Sequence, residues 1–311
     1  MDQQTEPVQH LNPTDAESRS ARATLIGATA VLMWSSLVVL TTWTGAVPPV
    51  QLVAMAFTLA ALLAATKWSL WGQHPMAFLR QPPAVWALGV GGLFGYHFLY
   101  FLALRLAPPI EASLINYLWP VLIVLFSALL PGERLRWFHL AGSAMGLLGT
   151  VLLVTRGGAI ALDARHLAGD LAALGAAVTW AAYSVANRRF GHVPTDAVGG
   201  FCAATAVLAW GVHFAWEPTI WPVGLQWLAV AGLGLGPVGA AFFVWDHGVK
   251  HGDIRALGIF SYATPLLSTV LLIVAGRGQA GVSVWIACAL VMGGAVLGSL
   301  DFFRRKRRRA A

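Results

Sequence analysis

Trp180, Tyr183, Ser184 and Asn187 fall at positions i, i+3, i+4 and i+7 of an apolar stretch, which sets them on one side of a helix. Such a row offers ring faces to an aromatic or cationic ligand and hydrogen bonds to its polar end. Comparable sets recur along the chain. Tyr96, His97 and Tyr100 lie in GYHFLYF, with the tyrosines one turn apart. Asn116, Tyr117 and Trp119 precede Pro120, and Ser261, Tyr262 and Thr264 precede Pro265. Trp34 lies deep in a further apolar block. These groups suit binding. A bond-making site would need two aspartates, a Ser-His pair or a His-Glu metal motif at comparable depth, and the sequence shows none. Cys202 and Cys288 both sit in apolar segments, so no disulfide, metal or cofactor is expected.

The elements that must position these residues follow from composition. The chain has 311 residues, 58% hydrophobic and only 11% charged, with a mean hydropathy of +0.69. A soluble domain carries about 25% charged residues. The apolar residues come in blocks of the length an α-helix needs to cross about 30 Å of hydrocarbon. Soluble globular folding is excluded. The expected fold is an all-α integral membrane protein of ten transmembrane helices, over 22–45, 48–71, 84–105, 109–130, 137–156, 167–189, 196–215, 223–247, 254–275 and 281–303. Proline and glycine pairs such as Pro48-Pro49, Pro82-Pro83, Pro108-Pro109 and Gly157-Gly158 punctuate the blocks. No connection is long enough to hold a soluble catalytic domain.

Residues 1–21 are polar and lack the pattern of a cleaved signal peptide, so a disordered cytoplasmic tail is expected. The basic run Arg304–Arg309 in the tail 304–311 reads as a cytoplasmic anchor beside the last helix, not as a nucleic-acid site. With the N-terminus inside, sixteen lysines and arginines fall on the cytoplasmic side and four opposite. Both termini are then cytoplasmic.

Displacing the sequence by 145 residues lays Tyr117 on Tyr262, Pro120 on Pro265, Arg105 on Lys250, Gly89 on Gly234 and Gly149 on Gly294; a shift of 146 lays Trp34 on Trp180. The expected units are 22–156 and 167–303, five helices each. Five is odd, so the second unit enters the membrane upside-down. Inverted repeats characterise transporters with a central cavity near the midplane.

In hydrocarbon a polar group must find a partner or line a water-filled cavity. Trp43, Trp68, Trp71, Trp137, Trp216, Trp221, Trp227 and Trp285 are placed as interfacial belt residues; Trp34, Trp119 and Trp180 lie deeper and are expected at the cavity. Pro120 and Pro265 should release the carbonyls of Asn116 and Ser261, and with Pro237 they are hinge candidates. His97, expected to be the one deep histidine, is either a neutral buried imidazole or a proton relay. Glu111, Asp170, Asp246 and Asp253 are all expected near helix ends, which points to an uncharged or zwitterionic substrate. The spacings Gly142-x-x-x-Gly146 and Gly294-x-x-x-Gly298 allow close helix approach, within one chain or in a homodimer.

Ten helices in two units, prolines inside the fourth and ninth, and PGERL with Glu133 together resemble the drug/metabolite transporter superfamily (EamA-like) across nearly the whole chain. More narrowly, Trp34, Tyr96-His97-x-x-Tyr100, the NYLWP stretch 116–120 and Trp180 resemble the YddG-type aromatic amino acid exporters of bacterial inner membranes. The resemblance implies that Trp34, Tyr96, His97, Tyr117, Trp119 and Trp180 line the central cavity and contact the substrate. After helix 9, where PGERL should recur, the chain has GRGQA. The expected function is amino acid export by alternating access, for aromatic and other neutral side chains. A carrier of a nucleoside, purine or sugar derivative is the alternative within transporters; an intramembrane enzyme is the alternative outside them.

Overall fold

A computed structural model describes residues 13–158, 164–276, 281–298 and 300. The residues before 13, most of the GRGQA stretch and the basic Arg304–Arg309 run lie outside them. The described residues are helical and contain no strand. Among the described residues eight helices are long and apolar enough to cross a membrane, and Val282–Gly298 is a shorter apolar helix.

The main helices are α1 (Pro13–Ser35, continued by Leu37–Thr42), α2 (Pro49–Leu70), α3 (Pro83–Leu106), α4 (Pro109–Asn116 and Trp119–Ser127), α5 (Trp137–Thr155), α6 (Leu167–Asn187), α7 (Val198–Trp216), α8 (Gln226–Leu235 and Ala241–His251), α9 (Ile254–Phe260 and Ala263–Val274) and α10 (Val282–Gly298). Most boundaries fall within a few residues of those expected, because prolines occupy the first turn, where a missing N–H costs nothing. The exceptions are α1, whose helix begins at Pro13 rather than after residue 21, and α8, which runs on to His251. α6 is long enough to span but less apolar, since Asp170, Thr179, Trp180, Tyr183 and Ser184 interrupt it.

The helices pair across the two halves. α1 packs on α8, α3 on α6, α2 on α7, α4 on α9 and α5 on α10. The close pairs rest on glycine. A Cβ at Gly142 would stand 2.6 Å from the Gly294 carbonyl oxygen and 2.9 Å from the Gly298 Cα, so α5 and α10 meet backbone to backbone. Both glycine repeats are thus used within the chain.

α4 and α9 are each broken, at Tyr117–Leu118 and at Ser261–Tyr262. The Ser261 carbonyl, expected to be free, accepts from the Thr264 N–H at 3.0 Å, because the chain tightens locally at the break. Between the two segments of α8, residues Gly236–Ala240 form a π-helical turn containing Pro237. Trp68 departs from the belt expectation. It is buried and stacked on Phe78, because the short helix Pro75–Leu79 folds back over it.

Candidate functional site

α1, α4, α6 and α8 each send one tryptophan to a common point. Ring centroids lie 5.6 Å apart for Trp34–Trp180, 6.1 Å for Trp34–Trp119, 6.4 Å for Trp119–Trp180 and 5.0 Å for Trp34–Trp245. Most of these pairs meet edge to face or tilted, as ring quadrupoles prefer. Phe242 and Phe57, stacked at 5.5 Å with planes 4° apart, complete the wall. A deep indole needs a partner for its N–H. Trp34 donates to the Pro237 carbonyl at 3.0 Å, an acceptor presented by the π turn of α8, and Trp245 donates to the Ser184 hydroxyl at 3.1 Å. Helices of both halves are therefore stitched at this cage.

α3 and α4 supply a polar wall beside it. Tyr96 lies 5.3 Å from Trp180 and stacks on Tyr100 at 6.1 Å. Its hydroxyl accepts from the Asn116 side-chain amide N–H at 3.2 Å, while the side-chain Oδ1 of Asn116 is buried with no hydrogen-bond partner. Tyr100 and Ser113 share a hydroxyl–hydroxyl bond of 3.2 Å. Tyr117 is half-buried at the break of α4. The Tyr183 hydroxyl, adjoining Trp180, is also buried without a partner. Such orphaned polar atoms ask for a ligand or water. His97 Nδ1 stands 2.7 Å from the Leu93 carbonyl and therefore donates to it. The ring is edge-on to Phe57 and Phe242.

The structure does not bring Tyr262 to the cage. Fully buried, it accepts the Val121 N–H at 3.1 Å, the amide just after Pro120, and its ring packs on Gly146. It joins the break of α9 to that of α4. Pro120 and Pro265 are both buried beside these breaks.

Sequence reasoning missed three members of the cage: Trp245, Phe242 and Phe57. Trp245 gave no such signal, since it stands two residues from the expected end of helix 8. One further expectation is corrected. Asp246 lies well inside α8 and is fully buried, because α8 extends past its expected end. Burial also reaches a helix end, where His213, in the last turn of α7, is fully buried, bonded to Glu217 at 3.1 Å and Thr219 at 2.9 Å. Helix ends here are covered by loops.

Beyond the α4 and α8 ends, a cavity of about 280 Å³ is lined by Ser20, Glu133, Arg134, Arg188, Asp253 and Arg255, among others. Glu133 bridges Arg188 at 3.5 Å and Arg255 at 3.1 Å, linking the first half to the second.

A profile of the EamA-like transporter family matches residues 21–155 and again 167–300. The chain is 55% identical over 284 residues to the Aromatic amino acid exporter YddG of Ancylobacter novellus, covering 91% of this chain and 98% of that protein. It is 28% identical to the Aromatic amino acid exporter YddG of Escherichia coli strain K12, covering 89% and 96% of the two chains. A crystal structure 54% identical in sequence superposes with a TM-score of 0.86, covering 90% of this chain and 98% of that one.

Proposed function

The chain belongs to the EamA-like transporter family, and from that premise we propose that it exports amino acids, aromatic ones above all, through a central cavity walled by the tryptophan cage. Ten transmembrane helices in two inverted five-helix units are the architecture we assign. Three observations support it: the family profile matches each half separately, the helix pairs map onto one another when the halves are exchanged, and the breaks of α4 and α9 lie at equivalent places. The sixteen-to-four charge split favours both termini in the cytoplasm of a bacterial inner membrane, with the Glu133 cavity facing inward.

The observation that carries the substrate reading is the convergence of Trp34, Trp119, Trp180 and Trp245 from both halves on one point. Four ring walls can hold an aromatic side chain by edge and face contacts, each worth roughly 0.5–1.5 kcal/mol. Tyr96, Tyr100, Asn116, Tyr117, Tyr183 and Ser184 supply the polar contacts for a head group, and His97 closes the aromatic wall. Pro120, Pro237 and Pro265 act as hinges, with Tyr262 coupling two of them. The relatives carry the activity of aromatic amino acid export in their names. The test is flux of tryptophan, phenylalanine, threonine and methionine in proteoliposomes. Tryptophan and phenylalanine should move fastest; no protein-dependent flux of any of the four sinks the reading.

The carbonyl-bonded setting of His97 has its own consequence. Among the described residues its one hydrogen bond goes to a backbone carbonyl, with Phe57 and Phe242 edge-on to the ring, so no hydrogen-bonded chain carries a proton to or from it. Replacing His97 by Gln is expected to leave the ratio of fluxes with and without a pH gradient unchanged, although the rate itself falls. A ratio that responds to the gradient in wild type and becomes independent of it in the variant would make His97 the relay.

A further inference from the structure

α8 holds an acid and a base one turn apart that the cage does not use. Asp246 and Lys250 are both buried, and their charged groups stand 2.9 Å apart. The Asp246 carboxylate also accepts from the Asn187 amide at 2.6 Å and the Thr195 hydroxyl at 2.7 Å; the Lys250 ammonium donates to the Val193 carbonyl at 3.1 Å. Taking two charges out of water is expensive, and a well-packed apolar pair of similar size would hold the helices as well. Ionisable groups kept inside a span mark the paths of solutes.

The location of the pair is specific. Asp246 follows Trp245, whose indole is bound to Ser184, and Asn187 lies one turn beyond Ser184 on α6. On the far side Arg188, next after Asn187, donates to the Val249 and Gly252 carbonyls at 3.3 and 2.5 Å and lines the 280 Å³ cavity. Polar groups thus stand at intervals between that cavity and the tryptophan cage, with Asp246 and Lys250 among them.

We propose that Asp246 and Lys250 form a transit station for the zwitterionic head group of the substrate, Asp246 taking its ammonium and Lys250 its carboxylate as the cavity-side ends of α6 and α8 separate. The inference rests on the exporter reading. Opening a buried ion pair strands two charges unless each meets its opposite at the same moment. An amino acid brings both on one carbon, so partners are exchanged without net charge entering the span. A solute with only one charge leaves the other member stranded, and the station therefore rejects it.

The test uses the full chain in proteoliposomes with three solutes of one ring system: tryptophan, tryptamine (ammonium only) and indole-3-propionate (carboxylate only). Wild type should favour tryptophan over both. Lys250→Met should shift the tryptophan-to-tryptamine flux ratio toward tryptamine, and Asp246→Asn should shift selectivity toward indole-3-propionate, each by about tenfold or more. The neutral pair Asp246→Asn/Lys250→Met, close in shape to the original, should lose discrimination among the three. Unchanged selectivity in the single variants, or wild-type KM and selectivity in the double variant, overturns the proposal and leaves the pair a staple of the fold. If the single variants fail to accumulate, the double variant decides. Wild type that moves no tryptophan refutes the exporter reading itself, a different result from loss of charge discrimination.

Discussion

Replacing Trp180 by alanine should lower tryptophan flux by about tenfold or more, equivalent to roughly 1.4 kcal/mol of lost interaction, with the protein still inserted in the membrane. Trp180 is the hub of the cage. Its ring lies within 6.4 Å of Trp34, Trp119, Trp245, Phe242, Tyr96 and Tyr183, centroid to centroid. Removing it deletes the face a substrate ring would stack on and lets its neighbours collapse inward. Insertion depends on the apolarity of α6, which an alanine does not reduce. Trp180→Phe should restore a substantial part of the flux, because it keeps a ring while giving up the indole N–H. Membrane abundance measured beside the initial rate separates the two effects. A wild-type rate in Trp180→Ala would remove this residue from the site, and equal rates in the Ala and Phe variants would mean that the ring face is irrelevant.

The largest loss of stability is expected where two backbones touch. At Gly142 any β-carbon would fall 2.6 Å from the Gly294 carbonyl oxygen and 2.9 Å from the Gly298 backbone. Neither can give way as the tip of a flexible side chain could. Gly142→Val must push α5 off α10, at a cost of about 3 kcal/mol by comparison with other overpacked interiors. Without a hydrophobic force between helices in lipid, close van der Waals contact is much of what holds such a pair. The thermal midpoint in detergent should fall by several degrees or more, and membrane abundance with it. Gly91→Val, at an exposed position with nothing within 4 Å, is the matched control and should change neither by a comparable amount. Equal midpoints for the two variants would show that α5 and α10 do not pack as described.

Several features were readable from residue order because they depend on local chemistry. Hydrocarbon demands runs of apolar residues, and proline cannot continue a helix from its interior, so block length and punctuation located the helix ends to within a few residues. The cage was legible in part for the same reason. Trp34, Trp119 and Trp180 lie too deep for an interface, and an indole at depth has few uses. The symmetric spacing of Pro120 and Pro265 foretold two similar breaks, which the structure shows in α4 and α9.

What remained hidden depends on which helices become neighbours. Trp245 and Phe242 are two of many aromatics in sequence; α8 becomes part of the cage wall because it packs on α1 and turns on its π bulge at Pro237. Tyr262 reads as the twin of Tyr117, yet one is locked against the Val121 amide and the other stands half-buried at the break of α4. Asp246 looked like a helix-end acid and is an enclosed one. By itself the sequence determined that this chain spans a membrane and carries deep indoles. Tertiary structure decided which four indoles meet and that Asp246 and Lys250 are sealed together beneath them. The physical reason is that membrane burial is a property of each segment, whereas a site is made by contacts between segments far apart in the chain.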